Sequence, residues 1–249
     1  MKLNKYILFQ GILSPSFINT YFRMKKLKLS KPYVKGITLD IGCGNRFNEK
    51  FFDNLYNKYV GLDYHEVFNK IDIYGRGNTK IKREKIDISA DAENLPFKNN
   101  SIDTILLTEV LEHIPHPQKA IKEMYRVLKN SNYLILTVPF MLGEHQLPFD
   151  FFRFTKEALR KILIENNFDI TLLEPYTNNG PTIFLMINSF VFFDILLKVK
   201  KQSRLLFFFL YVLTLPIYII NNFIALIIDK ISLDTSNTLG YFIIARKNE

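Results

Sequence analysis

The sequence predicts an α/β fold: a seven-stranded sheet with an antiparallel last strand, interrupted before that strand by an apolar helical insertion. Three observations carry this expectation. Short apolar, β-branched runs alternate with helical patterns, which implies a mostly parallel sheet covered on both faces. A glycine turn, Asp40-Ile41-Gly42-Cys43-Gly44, directly follows the first of those runs. Leu205–Ile228 then holds 24 consecutive residues without a charge, ahead of the last strand-like run.

The elements are expected in the following order. A helix runs through Phe17–Leu29 and gives way to a loop at Lys31-Pro32. The first strand is Ile37–Ile41, followed by a helix at about Asn48–Asn57 and a second strand at Tyr59–Asp63. Residues 64–80, with Gly75 and Gly77, read as irregular. Lys85–Ser89 is a third strand. Ile102–Thr108 is a fourth, short and apolar as a strand buried on both faces should be. Gln118–Leu128 is an amphipathic helix with Ala120, Ile121, Met124, Val127 and Leu128 on one side. Tyr133–Val138 is a fifth strand. Thr155–Asn166 is a helix with Thr155 as N-cap and Ala158, Leu159, Ile162 and Leu163 as its apolar face. Phe168–Glu174 and Tyr241–Arg246 complete the sheet. The organisation is then a basic N-terminal arm at 1–35, a main domain at 36–181 and 236–249, and an apolar insertion at 182–235.

Composition narrows the class. The chain has 249 residues and is 48% hydrophobic, which suits one large domain with an appendage and argues against disorder. Cys43 is the single cysteine, so no internal disulfide forms and a reducing compartment is the natural setting. Net charge is +9, and its placement is the informative part. Lys2, Lys5, Arg23, Lys25, Lys26, Lys28, Lys31 and Lys35 lie within the first 35 residues, which hold no Asp or Glu; the remainder is nearly neutral. A nucleic-acid binder spreads basic residues over a whole face, so none is expected as a partner. A basic arm fits anionic lipid headgroups, or is a solvated tail. Only the short apolar stretch Tyr6–Leu13 follows Lys2 and Lys5, without a small-residue cleavage site, so no cleaved signal is expected.

The glycine turn leads from strand to helix. Glycine there permits close backbone approach to a ligand, and the helix start offers free N–H groups. Asp63, at the end of the next strand, lies 19 residues beyond Gly44, the spacing at which such folds place a carboxylate on a ribose diol. These features alone fit a nicotinamide cofactor as well as S-adenosylmethionine. A third element separates the two: Asp91-Ala92-Glu93-Asn94-Leu95-Pro96-Phe97, which would have no role in a nicotinamide enzyme. The fourth strand then ends in Thr108-Glu109-Val110-Leu111-Glu112-His113-Ile114. From about Ile37 to Phe140, with these motifs in order, the sequence resembles the class I S-adenosylmethionine-dependent methyltransferases, in the branch that includes ubiquinone/menaquinone-biosynthesis enzymes. The resemblance implies a Rossmann-like methyltransferase sheet and cofactor contacts at Asp40, Gly42, Cys43, Gly44, Asp63, Asp91, Ala92 and Thr108. Gly42 and Gly44 would flank the methionine moiety, and Asp63 would take the ribose hydroxyls. Asp91 would take the adenine amino group and the Ala92 N–H the ring, with Thr108 beside the sulfonium. No metal is expected. In one departure, Arg46 stands where many relatives have a third glycine.

The acceptor side is expected in Gly143 to Thr155, beyond the fifth strand. His145 is a candidate general base there, with Asp150 to orient it and Arg153 to hold an anion. Alternatively Asp150 and Arg153 brace the loop. His113 and His116 flank the end of strand four and fit structural roles equally. The stretch His145–Thr155 resembles a sub-branch found among cell-envelope polysaccharide and glycolipid enzymes.

Residues 182–230 are unusual for a soluble domain. Their length permits a membrane span, yet one crossing would strand Tyr241–Arg246 on the far side. Two crossings would place Lys198, Lys200, Lys201 and Arg204 outside, against the positive-inside tendency. Pro216 divides Leu205–Ile228 into arms of 11 and 12 residues, each reaching about half the hydrocarbon core. The expectation is therefore a re-entrant or interfacial helix pair on the cytoplasmic face. The alternative is a buried helical subdomain or a dimer interface. The function expected is methyl transfer to a lipid-linked sugar or envelope glycan intermediate. A quinone or other prenyl lipid is the second acceptor class, and a non-catalytic membrane scaffold the alternative outside enzymes.

Overall fold

The computed structural model describes residues 11–64 and 86–249. Lys2, Lys5, most of the Tyr6–Leu13 stretch, Gly75, Gly77 and Lys85 lie outside the described residues. The chain divides into two compact units. One is Leu27–Glu174 with Gly240–Glu249; the other joins the residues up to Lys26 to Pro175–Leu239.

The first unit is built on the expected seven-stranded sheet. Its strands are β1 Ile37–Ile41, β2 Lys58–Asp63, β3 Ile88–Ser89, β4 Ile102–Thr108, β5 Leu128–Pro139, β6 Phe168–Pro175 and β7 Gly240–Lys247. They lie in the order β3-β2-β1-β4-β5-β7-β6. β1 pairs in parallel with both β2 and β4, β4 with β5, and β7 runs antiparallel to β5 from Tyr133↔Arg246 to Pro139↔Gly240. Strands buried on both faces need apolar runs, and Ile105, Leu106 and Leu107 of β4 are fully enclosed. Burying each such side chain contributes roughly 1.5–3 kcal/mol. The chain reverses its spread at β1, so the carboxyl ends of β1, β2 and β4 open one crevice at a topological switch point.

Several boundaries differ from the sequence expectation. The helix after β1 is α2, only Phe47–Phe51, because Asn54 turns the chain back at φ 66°. Asn57 and Lys58 then both donate to the Gly36 carbonyl to start β2. The amphipathic helix α3 is Pro117–Val127, and Leu128, expected on its apolar face, instead opens β5 with extended backbone. Helix α4 is Lys156–Glu165, and its N-cap is Thr155 as expected, accepting from Ala158 N–H at 3.2 Å.

Helix α1 is Phe17–Leu27, two residues shorter than expected, and lies in the second unit up to Lys26; the 3-10 turn that follows over Lys28–Tyr33, with Pro32 inside it, belongs to the first. Helix α5, Asn179–Ser189, continues through a π-helical segment Phe190–Leu196 into α6, Leu197–Gln202. After a bend at Ser203, α7 runs from Arg204 to Ile228. The expected division at Pro216 is corrected here: α7 is one continuous helix of 25 residues. Proline removes one helical N–H, but partners hold α7 on both sides of it. Tyr211 packs on Phe192 before Pro216, and Asn188 Nδ2 donates to Asn222 Oδ1 at 3.0 Å after it. Asn222 Nδ2 also donates to the Ile12 carbonyl at 2.8 Å. Lys25 pairs with Asp229 at 3.2 Å. The described residues 11–26 thus pack as part of the insertion's unit, where a separate arm at 1–35 was expected, and the unit's later segment is Pro175–Leu239 where 182–235 was expected.

Candidate active site

The glycine turn begins where β1 ends. Gly42 N–H and Cys43 N–H donate to the Leu62 carbonyl at 2.8 and 3.1 Å, which ties the turn to β2. Gly42 and Gly44 have φ of +70° and +49°, a region costly for residues with a Cβ. Arg46 also adopts positive φ, at 52°. That is the conformation a third glycine would supply. Arg46 is held in it by Glu49 at 2.7 Å, by Asp87 at 2.9 Å and by the Tyr59 ring, 4.8 Å from its guanidinium carbon.

Asp63 ends β2 facing this turn. Its Oδ2 accepts from Gly44 N–H at 2.9 Å and its Oδ1 from Tyr64 N–H at 2.8 Å. The segment after β3 brings Asp91 and Ala92 to the same crevice. Asp91 Oδ1 accepts from Glu93 N–H at 2.8 Å, and Glu93 in turn receives His116 N–H at 3.1 Å. Arg126 of α3 clamps the rest of the motif by donating to the Leu95 and Phe97 carbonyls. A cavity of about 540 Å³ results, within the usual range for small-molecule sites. Gly42, Gly44, Asp63, Asp91 and Ala92 line it together.

Three sequence-expected cofactor residues do not line the cavity. Asp40 is fully buried, accepting from Asn48 Nδ2 at 3.0 Å and from the Tyr59 hydroxyl. Thr108 Oγ1 accepts from the same Asn48 amide at 2.9 Å. The Cys43 sulfur packs toward Gly61, where a Cβ would stand 3.0 Å from it. These residues form the layer behind the turn and hold its shape. Burial pushes the Asp40 carboxyl from 3.8 up to about 7, although the Tyr59 and Asn48 hydrogen bonds oppose this. The folded chain therefore holds this proton over a range where the unfolded chain has lost it. Stability from this group falls as pH rises from about 4 to 7 and stays lost above, by about 1.4 kcal/mol for each pH unit of the window. Asp40→Asn is expected to flatten that dependence. Urea unfolding at pH 5 and pH 8 checks it, and an equal loss in both proteins would place the proton elsewhere.

The loop after β5 takes the bracing arrangement. Arg153 Nε donates to the Leu142 carbonyl, one terminal nitrogen to Asp150 and the Phe152 carbonyl, and the other to Asp150 and the Gly143 carbonyl. All five guanidinium donors are engaged, which leaves none for an anion. Asp150 also accepts from His145 N–H at 2.8 Å. His145 does not line the cavity; Gln146 and Phe149 of its loop do, as do Glu109 and His113 beyond β4. Burial holds the His113 imidazole below its ordinary range and pushes the Glu112 carboxyl well above its own, with the Glu109 charge adding to the latter. Sequence reading passed over Glu109 and Val110 as site residues, although both stand in the quoted motif after β4.

Residues 39–136 match the family model of a methyltransferase domain. An uncharacterised protein of Methanocaldococcus jannaschii is 34% identical over 115 residues, which cover 46% of this chain and 44% of that one. An uncharacterised chloroplast methyltransferase of Arabidopsis thaliana is 28% identical over 152 residues, covering 57% of this chain and 40% of its own. The chain thus spans less than half the length of these relatives. Among solved structures, an S-adenosylmethionine-dependent methyltransferase from Archaeoglobus fulgidus superposes with TM-score 0.52 at 17% identity, over 91% of this chain and 94% of that one. The [4+2]-cyclase SpnF superposes with TM-score 0.51 at 19% identity, over 90% and 80%. Residues 39–136 are thus similar to a methyltransferase domain, and the fold is one that S-adenosylmethionine-dependent methyltransferases share. The sheet, with β7 antiparallel beside β5, is the α/β architecture that the sequence predicts.

Proposed function

We propose that this chain binds S-adenosylmethionine in the cavity at the carboxyl ends of β1, β2 and β4. It transfers the methyl group to a lipid-linked sugar or cell-envelope glycan intermediate at a membrane surface. The observation that carries the first statement is the convergence of Gly42, Gly44, Asp63, Asp91 and Ala92 on one cavity. Asp63, fixed by two backbone N–H groups, takes the ribose diol. Asp91 takes the adenine amino group and the Ala92 N–H the ring, and the turn admits the methionine moiety. The chemistry is mostly positioning. The acceptor attacks the methyl carbon in line, the carbon–sulfur bond breaks, and sulfur keeps the electron pair.

The second statement rests on the other unit. Asn179–Gln202 and Arg204–Ile228 are 24 and 25 residues long, each apolar with only a small share of its residues buried. Leu205, Phe209 and Leu213 are 61–71% exposed, while Tyr218, Asn222 and Ala225 turn inward. At 1.5 Å per residue α7 is about 37 Å long. An apolar face of that length suits a bilayer surface entered from the cytoplasmic side, with Lys198, Lys200, Lys201 and Arg204 at anionic headgroups. The intact protein is expected in the membrane fraction, released by detergent. Leu205→Ser, Phe209→Ser and Leu213→Ser combined should move it to the soluble fraction. An intact protein wholly soluble without detergent would end the attachment reading.

The activity test is transfer of labelled methyl from S-adenosylmethionine to a cell-envelope lipid extract, with the product identified. A labelled quinone or prenyl lipid would replace the glycan acceptor. Binding without transfer to any extract would favour a scaffold. Nor does the fold alone guarantee methyl transfer, since a [4+2]-cyclase shares it.

A further inference from the structure

The long helices of the second unit, Asn179–Gln202 and α7, pair as a hairpin. Their contacts run in opposite order along the chain: Gly180 meets Ile228, Asn188 meets Asn222, Phe192 meets Tyr211 and Lys200 meets Phe207. The helices are therefore antiparallel along their length. At the base, Asn178 Nδ2 donates to the Asp229 and Ser232 carbonyls at 2.9 and 2.6 Å, and Asn179 N–H to the Asp234 carbonyl at 2.9 Å. The chain thus enters and leaves the hairpin at one end. Lys198, Lys200, Lys201 and Arg204 gather at the other end, the tip.

Polarity between base and tip is distributed inside out. Asp194 is the single charge there, one turn short of Lys198. Asn188 and Asn222 are fully enclosed and bonded to each other. Asn221 Nδ2 donates to Asn188 Oδ1 at 2.9 Å, and Asn222 Nδ2 to the Ile12 and Ser14 carbonyls at 2.8 and 3.2 Å. The Thr214 hydroxyl donates to the Tyr211 carbonyl of its own helix at 2.9 Å. Outward stand Ile183, Phe190, Leu205, Phe209, Leu213 and Phe223, each more than half exposed. A helix lying along a membrane surface keeps a strongly charged or polar face for water. The hairpin carries no such face between its ends. Paired amides inside and apolar side chains outside are what a hydrocarbon core requires, because nothing there satisfies a free polar group.

We propose that residues 179–228 cross the bilayer twice, as a helical hairpin whose basic tip meets the headgroups of the outer leaflet. The inference rests on the membrane part of the proposed function, not on its chemistry, and goes beyond attachment to one surface. The uncharged run 205–228 has 24 residues and is about 36 Å long at 1.5 Å per residue. The hydrocarbon core is about 30 Å thick, and a tilt of ~30° takes up the difference. A re-entrant helix needs a break at mid-depth, whereas α7 runs through Pro216 unbroken. Two crossings also return the chain to the side it left, so β6 and β7 stay in one sheet. The first 35 residues hold eight Lys and Arg and no acid, and Lys25 pairs with Asp229 at the base. They outnumber the four cations of the tip, which keeps the base on the cytoplasmic side. Long Lys and Arg side chains at the tip reach the far phosphates.

The test is labelling of the full chain in spheroplasts with a membrane-impermeant maleimide. Cys43 is the only cysteine and is buried, so the parent protein gives the blank. Gln202→Cys marks the exposed tip, and Leu233→Cys marks the base at a residue 93% exposed. Gln202→Cys is expected to react in intact spheroplasts to at least half the level reached in detergent. Leu233→Cys is expected to react only after permeabilisation. If both sites in membrane-bound protein wait for permeabilisation, the crossing is refuted and surface attachment stands. Reaction of Leu233→Cys in intact spheroplasts overturns the cytoplasmic base and the proposal with it. Protein found wholly soluble without detergent refutes the hairpin and the membrane reading together. Titration of the detergent-solubilised parent with S-adenosylmethionine is read separately, so failure to bind counts against the co-substrate reading alone.

Discussion

Gly42→Ala is expected to weaken S-adenosylmethionine binding by about 100-fold or more, equivalent to about 2.7 kcal/mol. It is also expected to destabilise the chain by roughly 2–4 kcal/mol. Two effects combine. The backbone at φ +70° costs an alanine roughly 1–2 kcal/mol. A Cβ there would stand 2.4 Å from Val110 Cγ2 and 3.1 Å from Cγ1, so something has to move. Val110 is poorly placed to retreat, because the N–H of its neighbour Glu109 is anchored on the Thr137 carbonyl and hydroxyl at 3.0 and 3.1 Å. The turn therefore shifts, and the Gly44 N–H that meets Asp63 shifts with it. Val110→Ala in the same chain removes the clash and leaves the backbone strain, so the double variant should recover part of both losses. Gly44→Ala is the contrast: no atom lies within 4 Å of its Cβ position, so its stability cost is backbone strain alone. Calorimetric titration and urea unfolding of the four proteins check the set. Wild-type affinity in Gly42→Ala would exclude the turn from the binding surface.

Asp63→Ala is expected to lower the same affinity by about 10²–10³-fold. A charged hydrogen bond contributes about 1.5–3 kcal/mol, and the ribose diol supplies two donors to one carboxylate. The side chain also organises its own surroundings by holding the Gly44 and Tyr64 N–H groups. Its loss frees the turn as well as the ribose contact. Asp91→Ala should cost less, roughly tenfold, because Asp91 is exposed and, in the proposed binding mode, would make one contact with the adenine. Undiminished binding by both variants would remove the basis for placing the co-substrate in this cavity.

The sequence-named residues that line the cavity are those set by local patterning. A strand that ends in Gly-x-Gly turns there whatever surrounds it, since glycine alone takes those angles without strain. Asp63, Asp91 and Ala92 follow because parallel strands bring successive carboxyl ends to one edge. Asp40, Cys43 and Thr108 were read as cofactor contacts, yet they stand behind the turn, beside Gly61, Tyr59 and Asn48. A linear motif orders residues along the chain but does not say which face of a turn each one takes. Arg46 shows the converse. Its positive φ is legible only from Glu49, Asp87 and Tyr59, and the last two are distant in sequence.

By itself, then, the sequence determined the alternating strands, the glycine turn with its two carboxylates and the apolar character of residues 182–230. Periodicity, backbone sterics and hydropathy are local and survive without knowledge of neighbours. Tertiary structure alone decided three things. α7 passes Pro216 unbroken because α5 and the π-helical segment hold it on both sides. The segment from Ile12 to Lys25 joins the insertion's unit through Asn222 and Asp229, some two hundred residues away. Glu112, His113 and His145 meet because Phe149 and Asp150 fold the loop after β5 back onto the turn after β4. Each depends on contacts between distant residues, whose energies no local pattern encodes.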